Sequence, residues 1–179
     1  MNQNEIEELE KTAKTGNADA QYMFGILNSL NGYYELAREY ISDSAKQNYP
    51  KALDWISRHK KLTNLLASIT ANLLNGGLQI KVWNVKKGEQ AEVFGINPLS
   101  DGAVLILTKK ENAANSSINF THYHSELIKE KYFHIMYDRW ELYLNGVLQS
   151  KDIKPTKNSK YLISIIHYII ENNKDLKWC

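Results

Sequence analysis

Along the first part of the chain, apolar and small residues recur at steps of three and four, the spacing that puts side chains on one face of a helix. A first helical pattern runs up to Gly16-Asn17, where the glycine can take positive φ at a helix end and the asparagine can cap the next helix. In that next helix Ala18, Tyr22, Gly25 and the Ile26/Leu27 pair follow the helical period, and Asn31-Gly32 ends it. Leu36, Ala37, Tyr40, Ile41, Ser44 and Ala45 give the face of a third helix that runs to Asn48. Pro50 suits the first position of a fourth, which continues through Trp55, Ile56, Leu62, Leu65, Leu66, Ile69 and Leu73 to Asn75-Gly76-Gly77.

Beyond residue 77 the period changes to two. Leu78, Ile80 and Val82 alternate with Gln79, Lys81 and Trp83, and Lys86 to Glu89 reads as a hairpin loop into a strand over 92–96. Pro98 to Gly102 predicts a second turn, 103–108 a buried strand, 109–117 a polar loop and 118–123 a further strand. Tyr132 to Tyr137 and Trp140 to Leu144 are rich in β-favouring aromatics and lead into Asn145-Gly146, so they predict a hairpin returning through Val147-Leu148. A closing helix over 160–172 carries Tyr161/Leu162, Ile165/Ile166 and Ile169/Ile170 as a broad stripe suited to covering one face of a sheet. The expected fold is therefore α+β: a helical region over residues 1–75, then an antiparallel β-sheet with a covering C-terminal helix over 78–179.

The small residues near the amino end carry more than periodicity, because Ala20 and Gly25 let a neighbouring backbone approach closely. Ala13, Gly16, Ala18, Ala20, Gln21 and Gly25, with Phe24 in place of leucine, follow the pattern Ala-x-x-Gly-x-Ala-x-Ala-Gln-x-x-Leu-Gly. In these residues the chain resembles the Sel-one-like repeat, a relative of the tetratricopeptide repeat whose helix pairs stack into a solenoid. Ala37, Tyr40, Ser44-Ala45 and Ala52 fit the second helix and the start of a following unit, so the resemblance spans residues 9–56. It departs from the family in a short loop between Asn28 and Tyr34 and in Asn48, which stands where glycine is usual. The resemblance implies protein-protein interaction, often in adaptors or regulators of bacterial origin. A solenoid normally needs roughly three or more stacked units, so this element either packs on its own chain or waits for a partner. An unsatisfied repeat edge also allows a homo-oligomer.

With 179 residues, 43% of them hydrophobic, the chain can bury one substantial core or two small ones. Residues 1–75 carry 8 basic and 9 acidic side chains and the remainder 14 and 11, a balance that gives nucleic-acid binding little support. Cys179 is the single cysteine, so no intrachain disulfide forms and a reducing compartment is compatible. Asn2 to Glu10 is polar and acidic rather than signal-like, and no apolar run reaches the ~20 residues of a membrane span. The expectation is a cytoplasmic protein.

Candidate chemistry is sparse. His122 and His124 share a face if their segment is a strand, and His134 on a neighbouring strand would complete a three-histidine zinc site with an open position. That set defines the alternative reading, a metal-dependent hydrolase, although polar residues on the solvent side of a sheet give the same pattern. No serine sits in a Gly-x-Ser-x-Gly elbow, and Gly76-Gly77 precedes a strand where a phosphate-binding loop would precede a helix. The favoured reading is accordingly non-catalytic and cofactor-free: an adaptor, inhibitor or immunity-type protein that grips a partner protein. Tyrosine, tryptophan and arginine dominate binding hot spots, which selects Tyr22, Tyr33, Tyr34, Trp55, Tyr137, Arg139 and Trp140 as the contacts, on the repeat or on an aromatic sheet face.

Overall fold

A computed structural model describes residues 1–74, 77–98, 104–110, 119–123, 130–148 and 159–176. It is α+β, and the chain divides into two compact units, Met1–Leu62 and Thr63–Cys179. The division cuts within the fourth helix, whereas the change of period at residues 75–78 falls where that helix ends.

The first unit contains α1 (Gln3–Lys14), α2 (Ala18–Leu30), α3 (Tyr34–Lys46) and the start of α4 (Pro50–Leu74). Each boundary has a local cause. Asn2 and Glu5 form a capping box at the start of α1, and the Asn17 side chain accepts the Ala20 amide at the start of α2. Asn48 takes the left-handed conformation (φ 61°) after α3, and its amide together with that of Tyr49 satisfies the carbonyls of Ala45 and Ser44. Asparagine thus does here what glycine does in the repeat pattern, since it is one of the few residues that tolerates this region of φ.

α2 and α3 run antiparallel, because contacts from the start of one reach the end of the other. The Ser44 hydroxyl donates to the Ala18 carbonyl at 2.7 Å, and Gln47 Nε2 donates to Gln21 Oε1 at 2.8 Å. Further along α2, Gly25 faces α3 so closely that a Cβ there would lie 2.5 Å from Ile41 Cγ1 and 3.1 Å from the Ala37 carbonyl oxygen. Ala37, Ile41 and Ser44 are completely buried at this seam. Beside this seam, Ala20 and Phe24 pack with Ala13 of α1, flanked by Ile6, Leu9, Leu27 and Tyr40, with Phe24 and Tyr40 edge to face. Tyr34 near the start of α3 meets Trp55 and His59 of α4, and the Trp55 and His59 rings stack at 3.5 Å. Since 47–49 join the end of α3 directly to α4, this contact makes α3 and α4 antiparallel and α2 and α4 parallel.

The second unit holds the rest of α4 and a four-stranded antiparallel sheet of β1 (Ile80–Asn84), β2 (Gly88–Pro98), β3 (Val104–Lys110) and β4 (Asn119–Tyr123), paired in chain order. Then come α5 (Glu130–Asp138), α6 (Trp140–Leu144) and α7 (Ser159–Asn172), and a short 3-10 turn at Lys174–Leu176. α7 packs on β1, as its apolar stripe predicts, but every residue from Tyr161 to Ile166 is buried because α5 covers it as well. β1 lies at one edge of the sheet, and protein groups engage its backbone beyond the ladder. The Trp83 amide donates to the Ser164 hydroxyl at 2.9 Å and the Val85 amide to the Tyr143 hydroxyl at 3.4 Å.

The expected hairpin of Tyr132–Tyr137 and Trp140–Leu144 is corrected to two helices. Phe133, His134, Met136, Tyr137, Trp140 and Tyr143 are buried, a helical set in which adjacent residues point inward together, as strand alternation forbids. Asn145-Gly146 is correspondingly a helix end. A two-residue hairpin turn of the type this dipeptide favours needs positive φ at both residues, and Asn145 has φ −78° while Gly146 alone has φ 72°. The Val147 amide reaches the Leu142 carbonyl at 2.9 Å and the Gly146 amide the Tyr143 carbonyl at 3.1 Å, the paired closure of a Schellman motif. The turn expected over Pro98–Gly102 begins at the last residue of β2 and otherwise lies outside the described residues; of the loop expected over 109–117, residues 109 and 110 instead continue β3 and the rest lies outside the described residues.

Gly25→Ala is expected to destabilise the first unit by about 1 kcal/mol: overpacking against buried Ile41 costs about 1–3 kcal/mol, and the helix propensity gained returns up to about 1. Ile41→Ala alone costs about 2–5 kcal/mol by leaving a cavity. Urea unfolding followed by circular dichroism should show the double variant less destabilised than the sum, by at least about 0.5 kcal/mol.

Candidate protein-interaction surface

α2 buries one side with Ala20, Gln21, Phe24, Gly25, Asn28 and Ser29. The opposite side carries Asp19, Met23, Ile26 and Leu30 at steps of four, three and four, of which Met23 is 48% exposed and Ile26 and Leu30 half-buried. α4 repeats the arrangement. It buries Ala52, Trp55, His59 and Leu62 and leaves Leu53 46% exposed with Ile56 half-buried beside it.

Two contacts bring these stripes together at their base. The Tyr22 and Tyr49 rings lie 5.6 Å apart, and the Tyr49 hydroxyl donates a short hydrogen bond to the Asp19 carboxylate. Met23 is one turn beyond Asp19 and Leu53 one turn beyond Tyr49. Both apolar residues therefore stand one helical turn beyond the Asp19–Tyr49 contact, on helices that run parallel. These residues make up an apolar strip on α2 and α4, bounded at one end by an acidic group and two phenols. The Asp19 bond raises the Tyr49 phenol above its ordinary value of 10.0, since the hydroxyl must give up a bonded proton to ionise beside a carboxylate.

The residues singled out for partner contact divide on burial. Tyr22 is half-buried on this strip, and Tyr33 is 65% exposed at the start of α3. Arg139 is half-buried between α5 and α6, and burial lowers its guanidinium from the ordinary value. Tyr34, Trp55, Tyr137 and Trp140 are core residues. Tyr34 and Trp55 form the ring cluster with His59, Tyr137 donates its hydroxyl to the Leu176 carbonyl at 3.0 Å, and Trp140 packs with Trp83 and Tyr143. The expected aromatic sheet face is therefore a set of buried helical aromatics. Their large apolar area is best removed from water, and the cores of two units use it. Selection by residue type passed over Met23 and Leu53. The signal that finds them is positional: they lie across their helices from the small, packed side.

The expected strand position of His134 is corrected. His134 lies in α5 rather than on a strand and is buried, with Nε2 3.0 Å from Glu130 Oε1 and 3.2 Å from Thr63 Oγ1. Carboxylate and hydroxyl thus meet the same ring nitrogen. A proton relay of the serine-hydrolase kind needs them on opposite nitrogens, so this arrangement holds the ring in place. His122 belongs to β4, and His124 lies outside the described residues. Among the described residues no group of three or more His, Cys, Asp or Glu side chains is placed to hold a metal ion, and no helix is long and apolar enough to cross a membrane.

No protein-family model matches the chain, and comparison with curated proteins and with solved structures found no significant match.

A phenol whose folded value is raised contributes stability that is present below its unfolded value and is lost as pH rises through the folded one. Asp19→Asn should bring the Tyr49 ring's NMR titration back toward 10.0, and should remove the part of the alkaline loss of stability that the Asp19–Tyr49 bond causes. An unchanged Tyr49 titration in this variant would show that the bond does not form in solution.

Proposed function

We propose that this chain is a non-catalytic, cytoplasmic protein-binding module of the Sel-one-like kind, an adaptor or inhibitor that holds a partner protein along the α2/α4 strip. The observation that carries the reading is that Met23 and Leu53, two large apolar side chains about half exposed, each stand one turn beyond the Asp19–Tyr49 contact that joins α2 to the start of α4, with half-buried Ile26 and Ile56 on the same helices. Scattered apolar residues are normal on a surface, but aligned ones on a rigid helical scaffold offer an anchor site at little ordering cost. The tightness of the α2/α3 seam supports the same reading, because it fixes α2 from behind. The phenols of Tyr22 and Tyr49 and the Asp19 carboxylate would add directional contacts at the end of the strip. A partner segment with aliphatic anchors and a hydrogen-bond donor or basic group beside them suits this chemistry.

Affinity capture with the intact chain, followed by binding measurements on the purified partner, tests the proposal. Met23→Glu and Leu53→Glu should each weaken that complex by at least about tenfold, as for truncation of a binding anchor, and should leave the melting temperature nearly unchanged because both residues are exposed. A partner that binds the double variant as tightly as the parent would remove the strip from the interaction.

A further inference from the structure

The α2/α4 strip carries opposite charges at its two ends. Asp19 and Tyr49 mark one end. From them α2 places Met23, Ile26 and Leu30, and α4 places Leu53, Ile56 and Lys60, at the same steps of four, three and four residues. Lys60 is exposed and lies about three turns beyond Tyr49, about 16 Å along the helix. The exposed Asp19 carboxylate accepts the Tyr49 hydroxyl through one oxygen, which draws it toward the start of α4 and leaves acceptor capacity for a cation.

Exposure also alternates along the strip. Met23 and Leu53 are 48% and 46% exposed, whereas Ile26 and Ile56, one turn further on, are half-buried. Each helix thus offers a projecting residue followed by a recessed one, and such a pattern is its own complement when reversed. A two-fold axis crossing the strip at right angles to the helices sets α2 on α2 and α4 on α4 of a second copy, running in opposite directions. With the axis midway between the projecting and the recessed residues, Met23 meets Ile26 of the second copy and Leu53 meets its Ile56. The same operation brings Lys60 of each copy over the Asp19–Tyr49 end of the other. An axis along the helices would instead set Asp19 beside Asp19 and Lys60 beside Lys60, which like charges oppose.

From this self-complementarity we infer that the strip pairs antiparallel with a second copy of the chain, through the Met23/Ile26 and Leu53/Ile56 contacts and two Asp19–Lys60 ion pairs. The inference rests on the reading of the strip as an interaction surface, and it names an occupant: the second copy covers the apolar side chains until a partner displaces it. Few apolar side chains from each copy take part, so the interface is small and the dimer weak, with a dissociation constant on the order of 100 µM. The rim charges set the direction of pairing more than its strength.

Sedimentation equilibrium of the intact chain, from about 10 µM to about 1 mM, should show a reversible monomer–dimer equilibrium. Met23→Glu combined with Leu53→Glu should leave only monomer. Lys60→Glu and Asp19→Lys, both at exposed positions, should each weaken self-association at least about fivefold, because both ion pairs become repulsive. An equimolar mixture of these two variants should recover the parent's affinity, since mixing rebuilds both pairs. A parent chain that stays monomeric, a dimer that survives the paired apolar substitutions, or charge variants that associate like the parent would each overturn the inference. If Asp19→Lys does not fold, Lys60→Glu and the apolar pair still decide it. A monomeric parent leaves the partner reading to the captured complex, so the two readings fail on different samples.

Discussion

The close approach of α2 and α3 at Gly25 is the constraint on which the first unit is built. With no Cβ at that position, Ile41 and the Ala37 carbonyl come within a distance that any side chain would occupy. The completely buried Ala37 and Ser44 lie along the same seam, and Ser44 fixes its end by bonding the Ala18 carbonyl. Dense packing of this kind transmits a displacement rather than absorbing it, because interiors have few voids to take up a shift. The direction in which α2 presents Met23 and Ile26 therefore follows from contacts on its other side.

The second unit is organised around α7, which is apolar over nearly its whole circumference from Tyr161 to Ile166. A helix of that kind needs cover on more than one side, and here β1 and α5 both supply it. The same packing accounts for the aromatic residues of α5 and α6. Trp83, Trp140, Tyr143 and His167 interlock with ring centroids 4.0 to 6.3 Å apart, which combines apolar burial with favourable ring geometry. Ser164 and Tyr143 meanwhile engage the backbone of edge strand β1, so the residues that complete the core also protect the sheet margin.

Two histidines show how the same side chain serves different environments. His59 stacks on Trp55, with Tyr34 near both rings, and contributes flat ring surface to the first unit. His134 instead orders a carboxylate at the rim of a cavity. Neither role could be assigned from residue type, since a ring nitrogen acquires its function from the atoms that surround it.

Local rules were enough to specify much of this chain. The caps at Asn17 and Asn48, Pro50 at the first turn of α4, the three- and four-residue steps of α1 to α4, and the change to alternation near residue 78 are each written within a few neighbouring residues. So was the small-residue seam, because absent side chains can be read as directly as present ones. The Tyr132–Leu144 segment was decided otherwise. Its aromatics favour strands only where a pleated surface is available, and β-propensity yields to context. Packing against α7 made the segment helical and turned Asn145-Gly146 into a helix cap, a choice that rests on residues far along the chain. Likewise the sequence supplied Met23, Leu53, Glu130 and Thr63 as ordinary surface-compatible residues. Only the folded backbone, by setting which helices run parallel and which hollow remains unfilled, put the first two one turn beyond a shared contact and brought the last two to one cavity.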